Sequence, residues 1–317
     1  MTYTGTGSAR TISHSLGSVP GSIWVKCTSD GYNWAVYHRG VDSSAPEDYK
    51  VDLGTTDART DNSSYWNDTA PTSSVFTVGT SGDTNANGET YVAYIFAHNN
   101  SDGGFGSDSE DIIKCGSYDG DGQSAGVTVN LGFEPQWIFL KRSDGSGYYS
   151  QIIDNMRGMV SGSNDIILWP NVTSAENTTL NSVEPTATGF KVVDTSNSNL
   201  NNSTWIYIAI RRPDMSTPTV ASDVFSIDTK GSGAPYFDSN HIVDMALVKS
   251  AGATSDWYNY ARHMGEKYLA TNTTAAEANA SEAGFDFMNG HIDSDWGGTN
   301  AYSWMWKRAR GFFDVVV

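Results

Sequence analysis

The sequence contains the same ordered set of five segments three times, at intervals of roughly 100 residues. Each set begins with an apolar run that ends in lysine, continues through aromatic, polar and short apolar segments, and ends with a longer apolar run. The opening runs are LGSVPGSIWVK (16–26), LGFEPQWIFLK (131–141) and HIVDMALVK (241–249), and the closing runs are TYVAYIFA (90–97), TWIYIAIR (204–211) and SWMWKRA (303–309). Matches in constant order indicate duplicated structural units. Because an active site needs unlike groups brought together once, this repetition favours an architectural role over catalysis.

Short apolar runs separated by turn residues predict an all-β fold. Gly, Ser, Thr, Asn and Asp fill the gaps between the runs, which is typical of turns between strands. Aromatic residues make up 12% of the chain, and this content argues against disorder. We expect three tandem, related β-sandwich repeats of a jelly-roll-like type, at 1–110, 111–222 and 223–317. The predicted aromatic cores contain Trp24, Phe76, Tyr94, Trp137, Phe190, Trp205, Phe285 and Trp304.

The repeat array is cut within a unit. DIIKCGSY (111–118) opens the second repeat and DVFSIDT (223–229) opens the third, whereas the first repeat begins with the tail of this element, YTGTG (3–7). The missing strand stands at the other end of the chain, in FFDVVV (312–317). We expect this C-terminal strand to complement the first repeat, either within the chain, which would close the array in a circle, or in a neighbouring copy. Closure within the chain is favoured because a tethered strand has no association cost.

Net charge and hydropathy exclude two classes of partner. The formal net charge is −17 and there is no basic stretch, so we expect no nucleic-acid partner. No run approaches the roughly 18 to 20 apolar residues that cross a bilayer, so we expect no membrane insertion. The first residues contain no apolar segment typical of a signal peptide. This start predicts either synthesis in a cytoplasm or a piece of a longer protein.

Catalytic motifs are missing from the sequence. None of the six histidines has the spacing of a zinc site, and there is neither a nucleophile elbow nor a phosphate-binding loop. Asp293 and Asp295 are an acid pair of the kind that glycoside hydrolases use, but carboxylates two residues apart in a loop are usually just solvated. We therefore expect no enzymatic activity.

Calcium is the best candidate for a cofactor. Asp83, Asn85 and Asn87 fit the first half of an EF-type calcium loop, in DTNANG (83–88). The bidentate glutamate at the twelfth position is missing, since that position is Tyr94 within a predicted strand. Turn formation alone also explains these residues. Otherwise no cofactor is expected.

Three tryptophans are candidates for carbohydrate binding. Trp66, Trp257 and Trp296 stand beside Asn, Asp and Gly in predicted loops. Exposed aromatic rings beside amides suit stacking on sugars, with hydrogen bonds to their hydroxyl groups. The alternative is that each ring anchors its own loop.

The sequence resembles a repeat module of tailed-phage tail fibres and virion structural proteins, especially those of marine cyanophages. The resemblance rests on YTGTG (3–7), TISHSLGSVPGSIWVK (11–26), NWAVYHR (33–39) and the closing WMWKRARGFFDVVV (304–317). It covers nearly the whole chain, although the third repeat lacks the LGxxP turn. It implies a virion protein made in the host cytoplasm, with a structural or receptor-facing role and no catalytic residues. The implied partners are other virion subunits, further copies of the chain and, as an alternative, a host surface polysaccharide.

Overall fold

The computed structural model of the chain describes residues 1–99, 111–212, 217–280, 283–293 and 300–315. Within these residues the protein is all-β, as the sequence predicts. The strands form several antiparallel sheets, and the helices are single turns. None of the described helices is long and apolar enough to cross a membrane.

The first repeat packs a six-stranded sheet on a two-stranded sheet. Its elements are β1 (Thr2–Thr4), β2 (Arg10–Ser13), β3 (Ser22–Cys27), β4 (Ala35–His38), a 3₁₀ turn (Pro46–Asp48), β5 (Tyr49–Asp52), β6 (Thr60–Asp61), α1 (Ser63–Trp66), β7 (Val75–Val78), α2 (Gly82–Asn85) and β8 (Thr90–Phe96). The larger sheet has the order β1-β8-β3-β4-β5-β6, and β2 pairs with β7. The Asn62 side chain begins α1 by accepting a hydrogen bond from the Ser64 backbone N–H at 3.0 Å.

The second repeat packs a six-stranded sheet on a three-stranded sheet. Its strands are β9 (Ile113–Gly120), β10 (Val127–Asn130), β11 (Pro135–Arg142), β12 (Gln151–Asp154), β13 (Asp165–Leu168), β14 (Asn177–Leu180), β15 (Val183–Thr186), β16 (Gly189–Val192) and β17 (Ser203–Arg211). The larger sheet has the order β9-β17-β11-β12-β13-β14, and the smaller has the order β10-β16-β15.

The third repeat has the same two-layer arrangement. Its elements are a 3₁₀ turn (Ala221–Asp223), β18 (Phe225–Thr229), β19 (Phe237–Asp238), β20 (Met245–Ser250), β21 (Tyr258–Ala261), a 3₁₀ turn (Arg262–Met264), β22 (Lys267–Ala270), β23 (Ala278–Asn279), β24 (Ala283–Phe287), β25 (Gly290–Asp293) and β26 (Ala301–Trp306). The larger sheet has the order β18-β26-β20-β21-β22-β23, and the smaller has the order β19-β25-β24.

All three larger sheets therefore have the same strand order. In each, the opening strand pairs with the closing strand, which pairs with the lysine-bearing strand. Lys26, Lys141 and Lys249 occupy equivalent positions, opposite Val92, Ile206 and Tyr302. The strand pairing thus gives a residue-by-residue correspondence between the repeats, which the following sections use.

Alternation along the strands sends one set of side chains into each sandwich and the other set to the outer face of its larger sheet. In the second repeat, Ile138 and Leu140 pack in the sandwich core with Trp205, whereas Phe139 and Lys141 lie on the outer face. Each of the three sandwiches has its own buried core of this kind.

The prediction of the aromatic core residues is correct for half of them. Four of the eight aromatic residues are buried between the sheets, namely Phe76, Phe190, Trp205 and Phe285. The other four lie on outer faces, namely Trp24, Tyr94, Trp137 and Trp304. These four residues were assigned to the wrong face of their strands. When a strand has apolar residues on both faces, its sequence does not indicate which face packs on the core of its own sandwich.

Residues 312–315, the described part of the C-terminal segment, do not pair with the first repeat within the chain. Phe313 instead exchanges backbone hydrogen bonds with Ala309, and the Asp314 carboxylate accepts a hydrogen bond from Arg308. The Phe313 ring packs 6.5 Å from Trp306, so the described residues 312–315 stay on the third repeat. These local contacts replace the predicted strand, of which Val316 and Val317 lie outside the described residues. The opening position of the first sheet is taken by the short β1, which pairs with only three residues of β8.

Candidate interaction surfaces

The larger sheets of the first two repeats pack against each other through their outer faces. Val36 and Val51 of the first repeat form one buried cluster with Ile206 of the second. A second cluster joins Trp24, Leu53, Phe96, Cys115, Phe139 and Ile208. The Trp24 ring lies 5.6 Å from Phe139. Burying an aliphatic or aromatic side chain in this way stabilises a contact by about 1.5–3 kcal/mol. We call this contact the mated faces.

Gly40 lets its backbone touch that of Gly116 across the mated faces. A Cβ atom on Gly40 would lie 2.7 Å from the carbonyl carbon of Gly116, closer than Cβ atoms approach other atoms in proteins. A Cβ atom on Gly116 would lie 2.5 Å from the Tyr207 hydroxyl oxygen. A larger residue at Gly40 therefore requires the two repeats to move apart, whereas one at Gly116 would clash with Tyr207 inside the second sandwich.

Polar groups fix the register of the mated faces. His38, which is buried, donates from Nε2 to the Tyr207 carbonyl oxygen at 3.0 Å and accepts at Nδ1 from the Gly40 N–H. Burial lowers the pKa of His38 to about 3, so the ring is neutral at pH 7. Lys141 donates from Nζ to the Thr55 carbonyl oxygen at 2.9 Å, and burial lowers its pKa to about 8. Lys26 and Lys249, by contrast, each bond a carbonyl six residues further along their own repeat.

The outer face of the third larger sheet carries the same kind of apolar residues, and within the described part of the chain no other repeat packs on it, although Phe313 contacts Trp306 at its edge. Ile227, Trp304 and Leu247 stand side by side on β18, β26 and β20. None of them belongs to a buried cluster of the described residues, and Ile227 is 55% exposed. Trp257 leans over this surface, with its ring 5.5 Å from Trp304. We call this surface the open face. It is defined by the outward residues Phe225, Ile227, Met245, Leu247, Trp257, Leu269, Tyr302, Trp304 and Trp306.

The second and third repeats are joined differently, through ion pairs. Arg308 binds both carboxylate oxygens of Glu134 at 3.0 Å, and Arg212 donates to Asp244 at 2.7 Å. Arg262 donates to the backbone carbonyl of the second-repeat residue Asn155 at 3.2 Å. Burial raises the pKa of Asp244, although its neighbouring cations and the Arg308 N–H act against this rise. Because this junction uses loops and strand ends, no described residue of the second repeat that takes part in it covers the open face.

Comparison with known protein families gives a match for the first two repeats. A family model described as a domain of unknown function, DUF7483, matches residues 1–212. The chain belongs to the DUF7483 family. No curated protein and no solved structure matches it. The DUF7483 match includes both sandwiches that form the mated faces, and it ends at Arg212, which binds Asp244 of the third repeat.

The predicted calcium residues lie in the DUF7483 match, where they bind other parts of the protein. The Asp83 carboxylate accepts hydrogen bonds from the Asn33 N–H and the Tyr65 hydroxyl, at 2.9 and 2.8 Å. Asn85 is buried, and its side-chain oxygen accepts from the Thr6 N–H at 2.9 Å. Asn87 is exposed. Asp83 and Asn85 thus face different partners within the protein, and calcium binding at these residues stays a prediction. The described residues contain no group of three or more His, Cys, Asp or Glu side chains suited to a metal.

The predicted carbohydrate-binding tryptophans are not brought together. Trp66 is 2% exposed and packs edge-on against Tyr37 at 6.2 Å, so it is a core residue of the first sandwich and cannot stack on a sugar. The short helix α1 turns this ring inwards, which corrects the prediction. Trp257 is half-buried on the open face, and Trp296 lies outside the described residues.

Sequence reasoning missed the residues that join the DUF7483 repeats. His38 and Lys141 lie at the mated faces, and the sequence alone shows each of them as a polar residue within an apolar strand. A polar group in such a strand indicates a buried partner, because an unpaired one would be costly. Gly40 and Gly116 carry no such signal, since most glycines of a turn-rich chain serve turns.

Proposed function

We propose that the chain is a non-enzymatic structural protein of a tailed-phage virion, made in the host cytoplasm. It acts as a module of a tail fibre or capsid appendage that takes part in virion assembly and presents a surface for host attachment. The resemblance of its repeats to such proteins supports this proposal, and so does a construction from rigid sandwiches joined through large faces. Its partners are other virion subunits.

The mated faces are the observation that carries the proposal. Two repeats of one chain already associate through the apolar outer faces of their larger sheets, with Ile206, Ile208 and Phe139 at most 2% exposed. Association of β-modules through such faces is what a virion part must do with its neighbours. An apolar surface with an aromatic centre is also typical of protein interfaces.

Quantitative mass spectrometry of purified virions tests the proposal. Virions of a phage that encodes this chain should contain it in a constant number of copies per particle, and antibody labelling should place it on the tail or capsid. A chain that is abundant in infected cells but absent from density-purified particles would refute the proposal.

Carbohydrate binding is the second candidate function, and one observation favours it. Tyr302, Trp304 and Trp257 form a continuous aromatic strip on the open face, with ring centroids 6.4 and 5.5 Å apart. Aromatic rings partly open to water can stack on the apolar faces of sugars. Binding to a glycan array that is lost in Trp257→Ala would favour this function, whereas the assembly proposal expects no binding.

A further inference from the structure

The open face repeats the mated face of the second repeat position by position. Strand register places Ile227, Trp304 and Leu247 where the second repeat has Cys115, Ile208 and Phe139. Those three second-repeat residues are the buried centre of the contact with the first repeat. The third repeat therefore has the same joining surface as its two relatives, at the same place on the same sheet.

Burial differs sharply between the two surfaces. Cys115, Ile208 and Phe139 are at most 2% exposed, whereas of their counterparts Ile227 is 55% exposed and Trp304 and Leu247 are half-buried. Large contiguous apolar patches are uncommon on monomeric proteins, and they mark sites of interaction. The open face thus has the composition of an interface and lacks, among the described residues, the partner that its relatives have.

The open face has the surface that packs on another sheet of the same strand order in the mated faces, and its charge does not oppose a copy of the same chain as partner. At a net charge of −17, two copies repel each other over most of their surfaces. The outward residues of β18, β26, β20, β21 and β22 include no carboxylate. The ammonium of Lys249 at the edge of this surface is turned towards the carbonyl and hydroxyl oxygens of Ser255. The outward residues of these strands therefore add no repulsion between carboxylates when two copies approach through this face.

We propose that the open face binds the open face of a second copy of this chain, forming a two-fold symmetric dimer. Its arrangement is that of the mated faces, with two sheets of the same strand order packed through their outer sides. A two-fold axis lets one self-complementary surface serve both partners. The role of this dimer rests on the proposed assembly function, whereas its existence is tested with the isolated protein.

Sedimentation equilibrium of the full chain from 1 to 100 µM tests the proposal. We expect a concentration-dependent mass that reaches twice that of the monomer. Raising the salt concentration should strengthen the dimer, because it screens the repulsion between acidic copies without weakening apolar contacts. Ile227→Lys and Leu247→Lys should each weaken the dimer at least tenfold, because each dimer would then bury two ammonium groups.

Met288→Lys is the matched control. Met288 lies in the same repeat, is 65% exposed and stands in the turn between β24 and β25, away from the open face. Its substitution should leave the dimer unchanged, and the far-UV circular dichroism spectra of all three variants should match that of the wild type, which shows that each variant folds. Three results would overturn the proposal: a monomer at every concentration, a dimer that survives both substitutions on the open face, or a monomer that binds oligosaccharides through Trp257.

The two proposals fail separately. A monomeric chain that is nevertheless present in purified virions removes the dimer and leaves the virion function standing. If the chain forms the dimer but is absent from virions, the virion function is refuted and the dimer stands.

Discussion

Trp205→Ala should lower the free energy of unfolding of the second repeat by about 3–5 kcal/mol. Trp205 is fully buried at the centre of that sandwich, where its ring packs edge-on against Tyr148 at 6.4 Å. Its Nε1–H donates to the Ser203 hydroxyl at 2.9 Å, so truncation leaves a cavity and removes this hydrogen bond, while the hydroxyl still donates to the Leu200 carbonyl oxygen. Urea unfolding followed by circular dichroism, with hydrogen exchange of β11 and β17, measures this loss.

Tyr94→Ala is the matched control for that substitution. Tyr94 lies in the closing strand of the first repeat, as Trp205 does in the second, but it is 49% exposed on the outer face. We expect its replacement to cost less than about 1 kcal/mol, as is usual for exposed residues. Equal costs for the two substitutions would contradict the assignment of inner and outer faces.

Between pH 7 and pH 5 the wild type should lose about 2 kcal/mol more unfolding free energy than His38→Gln does. The neutral ring of His38 bridges the mated faces, and burial lowers its pKa to about 3. In this pH range the unfolded chain takes up a proton at this site near pH 6.5 whereas the folded chain does not. His38 therefore contributes its full stability above pH 6.5 and loses it as the pH falls towards the folded pKa.

Other buried groups also make the unfolding free energy depend on pH, so the effect of His38 is measured as a difference between wild type and variant. Asp165 is buried, and desolvation raises its pKa to about 7 despite hydrogen bonds from three backbone N–H groups. The folded chain therefore holds this proton between about pH 4 and 7, so Asp165 makes the protein more stable as the pH falls. His291, with a pKa lowered by burial to about 4, acts in the same direction as His38. The change in unfolding free energy between pH 7 and pH 5, wild type minus His38→Gln, isolates His38. A difference near zero would contradict its burial at the mated faces.

The repeat pattern was sufficient to predict the fold class because each repeat contributes the same strands in the same order. Lys26, Lys141 and Lys249 align in the sequence and occupy equivalent positions in the sheets. Alternation was not sufficient to assign the two faces, since the closing strands carry apolar residues on both sides. Tyr94 and Trp304 were placed in cores for this reason, and they lie on outer faces.

The candidate sites were less predictable because they depend on short helices that the sequence does not signal. The residues around Trp66 suggest a loop, but the four-residue helix α1 turns its ring into the core. In the same way, α2 turns the Asn85 side chain inwards, where it holds the backbone of Thr6 and Ser8. The mated faces depend on contacts between repeats, and one repeat's sequence contains no information on which neighbour it meets.

A double-mutant cycle between Trp24 and Phe139 tests most directly the claim that these repeats join through their outer sheet faces. The two rings lie 5.6 Å apart across the mated faces, although they are separated by more than a hundred residues in the chain. We predict a coupling free energy of about 1 kcal/mol between Trp24→Ala and Phe139→Ala, as measured by urea unfolding. The control pair, Phe139→Ala with Phe76→Ala of the first core, should be additive within about 0.5 kcal/mol. Additivity of Trp24→Ala and Phe139→Ala within that same margin would contradict the account.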